Sequence, residues 1–228
     1  MIFTIPKEDV LRQLFCQLES HFILSVEEKS VISERFEHVL QVCEENFETN
    51  ENKYFVCSLG GVKHARFNPY HSVQYMIFLY YLSHDIFKNC QQPLLCDKIY
   101  YLNKILHSVD LFYAVELPKH FGAEHPLGSV MGRGNFSDGF FFYQGCTVGG
   151  TRDKEGNIYY PIIEENVRMY ANSSILGRCH IGKNVNIGAG CIVKNQDVPA
   201  NSTVFGQSPN LIIKHNIING QKSFYLPK

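Results

Sequence analysis

The sequence lacks the charge imbalance and the cysteine pairs that would assign it at once to a class of protein. Its formal net charge is −1 and its pI about 6.8, so no overall field favours nucleic acid or anionic lipid as a partner. Its eight cysteines are scattered and contain no C-x-x-C pair, although zinc clusters and disulfide frameworks both need tighter spacing. We therefore expect reduced and mostly buried thiols.

Long hydrophobic runs are also missing. The longest apolar stretch, YMIFLYYLSHDIF, contains His84 and Asp85 and is too short and too polar to span a bilayer. The first residues, MIFTIPKEDVLRQ, lack the basic, apolar and small-residue regions of a secretory signal. A cytoplasmic protein is the simplest interpretation.

Residues 1–108 show a helical pattern, with apolar residues three and four positions apart. Ser25 and Glu28 have the spacing of a capping box at the start of an amphipathic helix. After a polar loop and a turn at Gly60-Gly61, Pro69 is predicted to open a buried helix, and a last helix is predicted over 96–108.

Beyond residue 109 the chain repeats every six residues. From Ile163 the hexads read IEENVR, MYANSS, ILGRCH, IGKNVN, IGAGCI and VKNQDV, with an aliphatic residue or Met first and mostly small or β-branched residues fifth. Six residues make one side of a triangular prism, so three hexads make one full coil and successive coils stack as parallel strands. Positions 163 and 181, 169 and 187, and 175 and 193 should then pair.

These patterns predict an α+β protein in which an α-helical domain (1–108) precedes a left-handed parallel β-helix (109–212) and a short tail (213–228). The stretch TRDKEGNIYY, at 151–160, does not fit a hexad and is predicted to be a loop that leaves the prism at a corner. A prism of this kind has no cleft of its own, so its sites are expected between neighbouring subunits of a trimer.

The stretch VDLFYAVELPKHFGAEHPLGSVMG, at 109–132, resembles the start of the β-helix in serine acetyltransferases. In that family a Val-Asp-Ile segment lies fifteen residues before a catalytic histidine, which follows an acid and precedes a glycine by three. Here Val109-Asp110-Leu111 precedes His125 by fifteen, Glu124 comes before that histidine and Gly128 after it. The likeness continues through CTVGGT and the hexads to VPANSTVFGQSP, covering about residues 109–212.

The resemblance implies direct acetyl transfer from acetyl-CoA to a hydroxyl, with no metal. His125 would take the proton of the hydroxyl as general base, and Asp110 would orient and stabilise its ring. Small residues would let the extended pantetheine arm lie along a coil, and two lysines would meet the nucleotide phosphates. The cofactor-binding candidates are Gly149, Gly150, Thr151, Ala171, Gly188, Ala189, Gly190, Lys194 and Lys214.

Departures from the family pattern bear on the acceptor. The family loop after Gly-Gly-Thr ends in Arg-His-Pro, which helps to hold the amino acid, whereas this chain has Tyr159-Tyr160-Pro161. Glu124 replaces the family aspartate and is one methylene longer. Glu124 and Tyr160 are the acceptor-binding candidates. The tyrosines favour a sugar hydroxyl as the acceptor, as in surface-polysaccharide assembly. Serine O-acetylation for cysteine biosynthesis is the alternative.

Two other classes stay open at this point. In the zinc carbonic-anhydrase type of β-helix three histidines meet across a subunit interface, for which His120, His125 and His180 are candidates, and a non-enzymatic scaffold would bind no acetyl-CoA. The family tail that binds cysteine synthase ends in isoleucine, whereas this chain ends FYLPK, so that partner is not expected. The helical domain is expected to drive further assembly, as a trimer or a dimer of trimers.

Overall fold

The computed structural model describes residues 1–50 and 52–216 and divides them into two compact units. Of the described residues, 1–50, 52–107 and 112–114 form the first unit, and 108–111 and 115–216 form the second. The last residues of the sequence, including the predicted tail beyond 216 and its FYLPK end, lie outside the described residues. No helix in the described ranges is long and apolar enough to cross a membrane.

The first unit contains four helices and a small sheet. The helices are α1 (Lys7–His21), α2 (Val26–Glu48), α3 (Ser72–Asn89) and α4 (Pro93–His107), and the strands are β1 (Ile2–Phe3), β2 (Val56–Leu59) and β3 (Val62–Phe67). The predicted capping box is confirmed, because the Ser25 side chain accepts from the Glu28 backbone N–H while the Glu28 carboxylate accepts from the Ser25 N–H. Helix α3 is buried over most of its surface, as its apolar sequence predicted.

The predicted turn at Gly60-Gly61 is confirmed, and it joins β2 and β3 in an antiparallel hairpin that was not predicted, to which β1 adds in parallel. The predicted start of the next helix was wrong. Helix α3 begins at Ser72 rather than at Pro69, because the Asn68 side chain accepts from the Tyr70 N–H and its carbonyl from the His71 N–H, which makes a turn first.

The second unit is a prism of short parallel strands with three faces. The first face holds β4 (Asp110–Leu111), β6 (Val130–Met131), β9 (Thr147–Gly149), β14 (Ser174–Leu176) and β17 (Ile192–Lys194). The second holds β5 (Phe121–Ala123), β8 (Phe140–Phe142), β13 (Arg168–Met169), β16 (Asn186–Ile187) and β18 (Ser202–Gln207). The third holds β7 (Asn135–Phe136), β12 (Ile162–Ile163) and β15 (His180–Ile181).

The predicted stacking of the hexads is confirmed residue by residue. Ile163 pairs with Ile181, Met169 with Ile187 and Ile175 with Val193, so each residue meets its counterpart in the third hexad after its own. These six side chains are fully buried along the axis of the prism, and the fifth-position residues Val167, Ser173, Cys179, Val185 and Cys191 are buried beside them. Burial of these axial side chains stabilises the prism. The fold is therefore α+β with a left-handed parallel β-helix.

The predicted loop after Gly149-Gly150 leaves the prism as a hairpin. Strands β10 (Thr151–Arg152) and β11 (Ile158–Tyr159) pair antiparallel. Ser174 pairs with Thr147 in the coil before it and with Ile192 in the coil after it. The hairpin adds residues to the stretch of chain from Thr147 to Ser174, and the stretch from Ser174 to Ile192 has no such addition. The additional residues therefore do not shift the coil register. At the last described coil of the prism, β19 (Asn210–His215) pairs antiparallel with β18 and covers the free edge of that strand.

The cysteines agree with their predicted state. All eight are free thiols, and five of them are buried: Cys43, Cys96, Cys146, Cys179 and Cys191. Burial in apolar surroundings raises the pKa of the Cys191 thiol to about 11, which keeps it protonated and unreactive.

Candidate active site

Two corners of the prism carry the predicted site residues. The histidine corner joins the second face to the first and consists of residues 124–129, 143–146, 170–173 and 188–191 in successive coils. The hairpin corner follows the first face and consists of residues 150–161, 177–179 and 195–197. Backbone hydrogen bonds, such as Gly145 N–H to the Leu127 carbonyl (2.9 Å), hold each corner in register.

His125 lies on an enlarged turn of the histidine corner. Six residues (124–129) separate β5 from β6, whereas four (143–146) separate β8 from β9 in the next coil. His125 has a φ of 51°, a left-handed conformation that is uncommon for histidine, and its side chain is 78% exposed. Local strain that places a titratable side chain in solvent is typical of functional positions.

Asp110 comes to the same corner through the pairing of β4 with β6. The Asp110 N–H donates to the Ser129 carbonyl at 2.8 Å, and the Gly128 N–H donates to the Ser108 carbonyl at 2.8 Å. The turn that carries His125 is thus hydrogen-bonded directly to the segment that carries Asp110. The fifteen-residue spacing noted in the sequence therefore corresponds to neighbouring positions on adjacent coils.

Glu124 is the second acid at this corner. Its Oε1 lies 4.0 Å from the Nε2 of His125, and its N–H donates to the Phe142 carbonyl at 3.1 Å. Tyr143 occupies the matching position of the next coil, because Ala123 pairs with Phe142. Burial, together with the nearby negative charge of Glu124, raises the pKa of Tyr143 to about 12, so the phenol stays protonated.

The predicted cofactor-binding residues divide between the two corners. Ala171, Gly188, Ala189 and Gly190 lie at the histidine corner, where the Gly190 N–H donates to the Ala171 carbonyl at 2.9 Å. Gly149, Gly150, Thr151 and Lys194 lie at the hairpin end of the first face. Both groups therefore border the same flat face, and an extended ligand can run along either edge of it.

The hairpin corner is well ordered by side-chain contacts. The Tyr160 ring covers Gly150, since a methyl group on Gly150 would come within 2.8 Å of that ring. Thr151 Oγ1 donates to Asn195 Oδ1 at 2.9 Å. Lys194 borders a cavity of about 350 Å³, whose other lining residues are Asn195, Gln196, Ser208 and Pro209. Lys214 is separate, on β19, with its ammonium 5.8 Å from the Phe205 ring centroid.

Tyr160 and His125 are not brought together within one chain, since they lie at opposite ends of the first face. The five residue steps from corner position 145 to corner position 150 span roughly 16 Å at the rise of a β-strand. The two histidines proposed as further zinc ligands instead pair with carboxylates. His120 Nδ1 is 2.9 Å from Asp138 Oδ2, and His180 Nε2 is 2.8 Å from Glu164 Oε1. Within the described part of the chain no group of three or more His, Cys, Asp or Glu residues could hold a metal ion.

Two residues with a place at these corners were not singled out from the sequence. Tyr143 follows the run Phe140-Phe141-Phe142, a pattern that indicates one more core aromatic. Only the pairing of Ala123 with Phe142 shows that Tyr143 lies beside Glu124 in the next coil. Arg178 lies in a hexad turn position, and only the hairpin brings its guanidinium to 5.7 Å from the Tyr159 ring centroid.

Comparisons with known proteins agree with this geometry. A family model described as "Bacterial transferase hexapeptide (six repeats)" matches residues 160–195. A protein of Staphylococcus epidermidis named serine acetyltransferase is 32% identical over 139 residues, which cover 60% of this chain and 63% of that protein. One of Staphylococcus aureus with the same name is 30% identical over 149 residues, covering 65% of this chain and 68% of the relative.

Solved structures share the fold. Serine acetyltransferase from Vibrio cholerae superposes with a TM-score of 0.67 and 22% identity over 86% of this chain and 74% of that one. A serine acetyltransferase solved in complex with CoA superposes with a TM-score of 0.62 and 19% identity over 82% of this chain and 75% of that one.

The six-residue repeats of the prism match the family model of bacterial hexapeptide-repeat transferases. The likeness to the staphylococcal proteins takes the assignment further. The chain belongs to the hexapeptide-repeat acyltransferase family as a serine acetyltransferase-like member. It spans 63% of the length of the Staphylococcus epidermidis relative it matches.

Proposed function

We propose that this protein is an acetyl-CoA-dependent O-acetyltransferase and that its acceptor is the hydroxyl of serine. The observation that carries the proposal is the histidine corner, where His125 projects into solvent beside Glu124 and next to the segment that bears Asp110. An exposed histidine with one carboxylate 4.0 Å away and a second acid on the adjoining segment is an arrangement expected for a general base that acts on a hydroxyl.

The reaction follows from these groups. Nε2 of His125 takes the proton of the serine hydroxyl while the oxygen attacks the thioester carbonyl of acetyl-CoA. Asp110 stabilises the imidazolium that forms, and backbone N–H groups stabilise the tetrahedral oxyanion. When that intermediate collapses, the C–S bond breaks, the new C–O bond remains, and the imidazolium returns its proton to the CoA thiolate. Atoms and charge balance without a metal.

Serine is preferred to a sugar as the acceptor because the named relatives are serine acetyltransferases. The tyrosines of the hairpin favoured a sugar from the sequence alone, but an observation at Tyr159 supports a charged acceptor. The exposed Arg178 guanidinium lies over the Tyr159 ring, so a cation is present where the family has arginine. A carboxylate that leaves water needs such a partner.

Acetyl-CoA is assigned to the edges of the first face. Small residues leave room there for an extended arm, and Lys194 beside its cavity supplies a cation for the phosphates. Because Tyr160 lies one face away from His125 in a single chain, a complete site requires the hairpin corner of a neighbouring subunit. We therefore infer that the working form is a homotrimer, or a dimer of trimers.

The test is release of CoA thiol from acetyl-CoA by the purified protein, with L-serine in one series and free or nucleotide-linked sugars in another. We expect turnover with serine, and we expect His125→Ala to lower kcat by about 10²- to 10⁴-fold, the range ascribed to a general base.

Each contrary result has a definite meaning. Turnover of a sugar but not of serine would return the acceptor to the polysaccharide interpretation. Undiminished activity in His125→Ala would exclude the mechanism for either acceptor. Absence of acetyl-CoA binding, measured by calorimetry, would leave a scaffold.

A further inference from the structure

Arg178 lies at the hairpin corner with its backbone fixed and its side chain exposed. Its N–H donates to Asn195 Oδ1 at 2.9 Å, and the same oxygen accepts from Thr151 Oγ1 at 2.9 Å. One amide therefore joins the coil that carries Arg178 to the base of the hairpin. The preceding residue, Gly177, has a φ of 77°, and its N–H donates to the Gly149 carbonyl at 2.8 Å. These hydrogen bonds set the point from which the arginine side chain starts.

Only glycine fits at the position before Arg178. A methyl group on Gly177 would overlap Thr151 Oγ1 and Asn195 Oδ1. The lack of a side chain at Gly177 is therefore what lets the hairpin and the coil approach so closely. Tyr159 pairs with Thr151 across the hairpin, so this close approach brings the Tyr159 ring beside Arg178.

The guanidinium of Arg178 is held against the Tyr159 ring, with its Cζ 5.7 Å from the ring centroid. A guanidinium in this position keeps N–H groups along its edge, and these can donate in parallel to one carboxylate. Within residues 1–50 and 52–216 Arg178 forms no ion pair with a carboxylate. By contrast, Arg35 donates through Nε and Nη2 to both oxygens of Asp85. The edge of Arg178 is thus available to an anion from outside the chain.

The acids of the hairpin corner are bound elsewhere. Asp153, on the hairpin, accepts from the N–H and the Nδ2 of Asn157 at 2.8 and 3.0 Å. Asp197, in the coil that follows Arg178, accepts from the His180 N–H at 2.7 Å. Each carboxylate stabilises its own turn, so the positive charge of Arg178 is not neutralised by them.

We propose that Arg178 selects an acceptor that carries a carboxylate, and that it binds the α-carboxylate of serine from the hairpin corner of the neighbouring subunit. The inference rests on the proposed function and deepens it, because it assigns the anionic end of the acceptor to a single side chain. The family resemblance gives an arginine at position 159, where this chain has a tyrosine. Here the Tyr159 ring positions a cation that comes from the following coil instead.

The experiment compares serine with serinol, which has the same amine and hydroxyl but no carboxylate. In Arg178→Gln we expect KM for serine to rise about 10- to 100-fold, the range for loss of hydrogen bonds to a charged group. The kcat/KM for serinol should stay at its wild-type value, so the preference for serine over serinol should fall by the same factor. Arg178→Lys keeps the charge but not the paired N–H groups, and its KM for serine should lie between the two.

The matched control is Arg152→Gln, on the same hairpin. Arg152 Nη1 donates to the Gly156 carbonyl at 3.1 Å, a contact within the hairpin itself. This variant makes the same change in net charge, so a general electrostatic effect on the anionic acetyl-CoA would appear in the control too. We expect the KM values of Arg152→Gln for serine and for acetyl-CoA to match those of the wild type.

Tyr159→Leu tests the ring as a positioning residue. Loss of the cation–π contact should raise KM for serine about two- to fivefold and leave kcat near its wild-type value. In the Arg178→Gln background the same substitution should produce no further change, because the ring acts only through the guanidinium. An equal loss in both backgrounds would overturn this role of Tyr159. Thermal unfolding of each variant checks that the prism is intact.

The inference and the proposed function fail in different ways. If the wild-type protein does not acetylate serine, both are overturned. If the wild type acetylates serine and Arg178→Gln keeps the wild-type KM for it, or loses serine and serinol turnover equally, only the role of Arg178 is overturned. A rise confined to the KM for acetyl-CoA would also overturn it, since Arg178 would then meet the nucleotide phosphates.

Discussion

At the scale of single residues, the glycines beside the first face differ in what a side chain would meet. A methyl group on Gly149 would contact only Leu176 Cδ2, at an ordinary 3.8 Å. On Gly188 it would come within 2.6 Å of the Phe205 ring and 2.9 Å of the Val204 carbonyl. The first position tolerates alanine in the folded protein, whereas the second does not without a shift of its neighbours.

Gly149→Ala is therefore the clean test of the proposed acetyl-CoA edge. We expect KM for acetyl-CoA to rise roughly tenfold, equivalent to about 1.4 kcal/mol of lost binding, because the methyl group obstructs the pantetheine arm. KM for serine and the thermal midpoint should stay near their wild-type values. Gly188→Ala should instead lower the midpoint. A folded Gly149→Ala protein with unchanged KM for acetyl-CoA would remove this edge from the cofactor site.

The residues of the histidine corner show what a sequence can and cannot reveal. Asp110 and His125 were found because their spacing matches a family pattern along the chain, and the pairing of β4 with β6 does bring their segments to one corner. Tyr143 lies a full coil after Glu124, and no local pattern marks the pair. Only the stacking of coils, whose spacing varies at the enlarged corner, places them at matching positions.

At the scale of elements, regular periods were predicted correctly and non-local pairings were not. The hexads predicted the partners of Ile163, Met169 and Ile175 because each coil repeats the same hydrophobic position. The sheet of the first unit was missed because β1 and β3 are far apart in sequence, and a strand as short as β1 cannot show a period. The start of α3 was missed because the Asn68 turn competes with the helix.

Helix α4 ends in a histidine that should make the first unit sensitive to acid. His107 is 8% exposed and its Nδ1 lies 2.7 Å from Asn103 Oδ1. Burial lowers the pKa of His107 from 6.5 to about 4, so the folded state holds it neutral. The unfolded chain binds a proton below its ordinary pKa and the folded protein does not, so stability is complete above pH 6.5 and falls as the pH drops toward 4.

We expect this residue to account for about 2 kcal/mol of lost unfolding free energy at pH 5 relative to pH 7.5. Burial also lowers the pKa of His71, which adds to the loss in the same direction. Denaturant unfolding across this pH range measures the slope. His107→Gln keeps a donor for Asn103 but does not titrate, so its stability should depend less on pH. An identical slope in the two proteins would assign the acid sensitivity elsewhere.

At the scale of the whole molecule, the proposed site draws on two corners and therefore predicts assembly. Light scattering of the purified protein should give three times the chain mass of 26.2 kDa for a trimer, or six times that mass for a dimer of trimers. Dilution into monomers should abolish acetyl transfer, because each His125 loses the hairpin of its neighbour. A monomer with full activity would place the whole site within one chain and contradict the arrangement.

The hairpin of β10 and β11 gives the protein a natural point of variation. Its additional residues leave and rejoin the prism without shifting any coil, so the axial core is the same on either side of it. The length and side chains of such an insertion can therefore change while the six-residue repeat is maintained. Side chains in this segment can therefore change without altering the register of the prism or its buried axis.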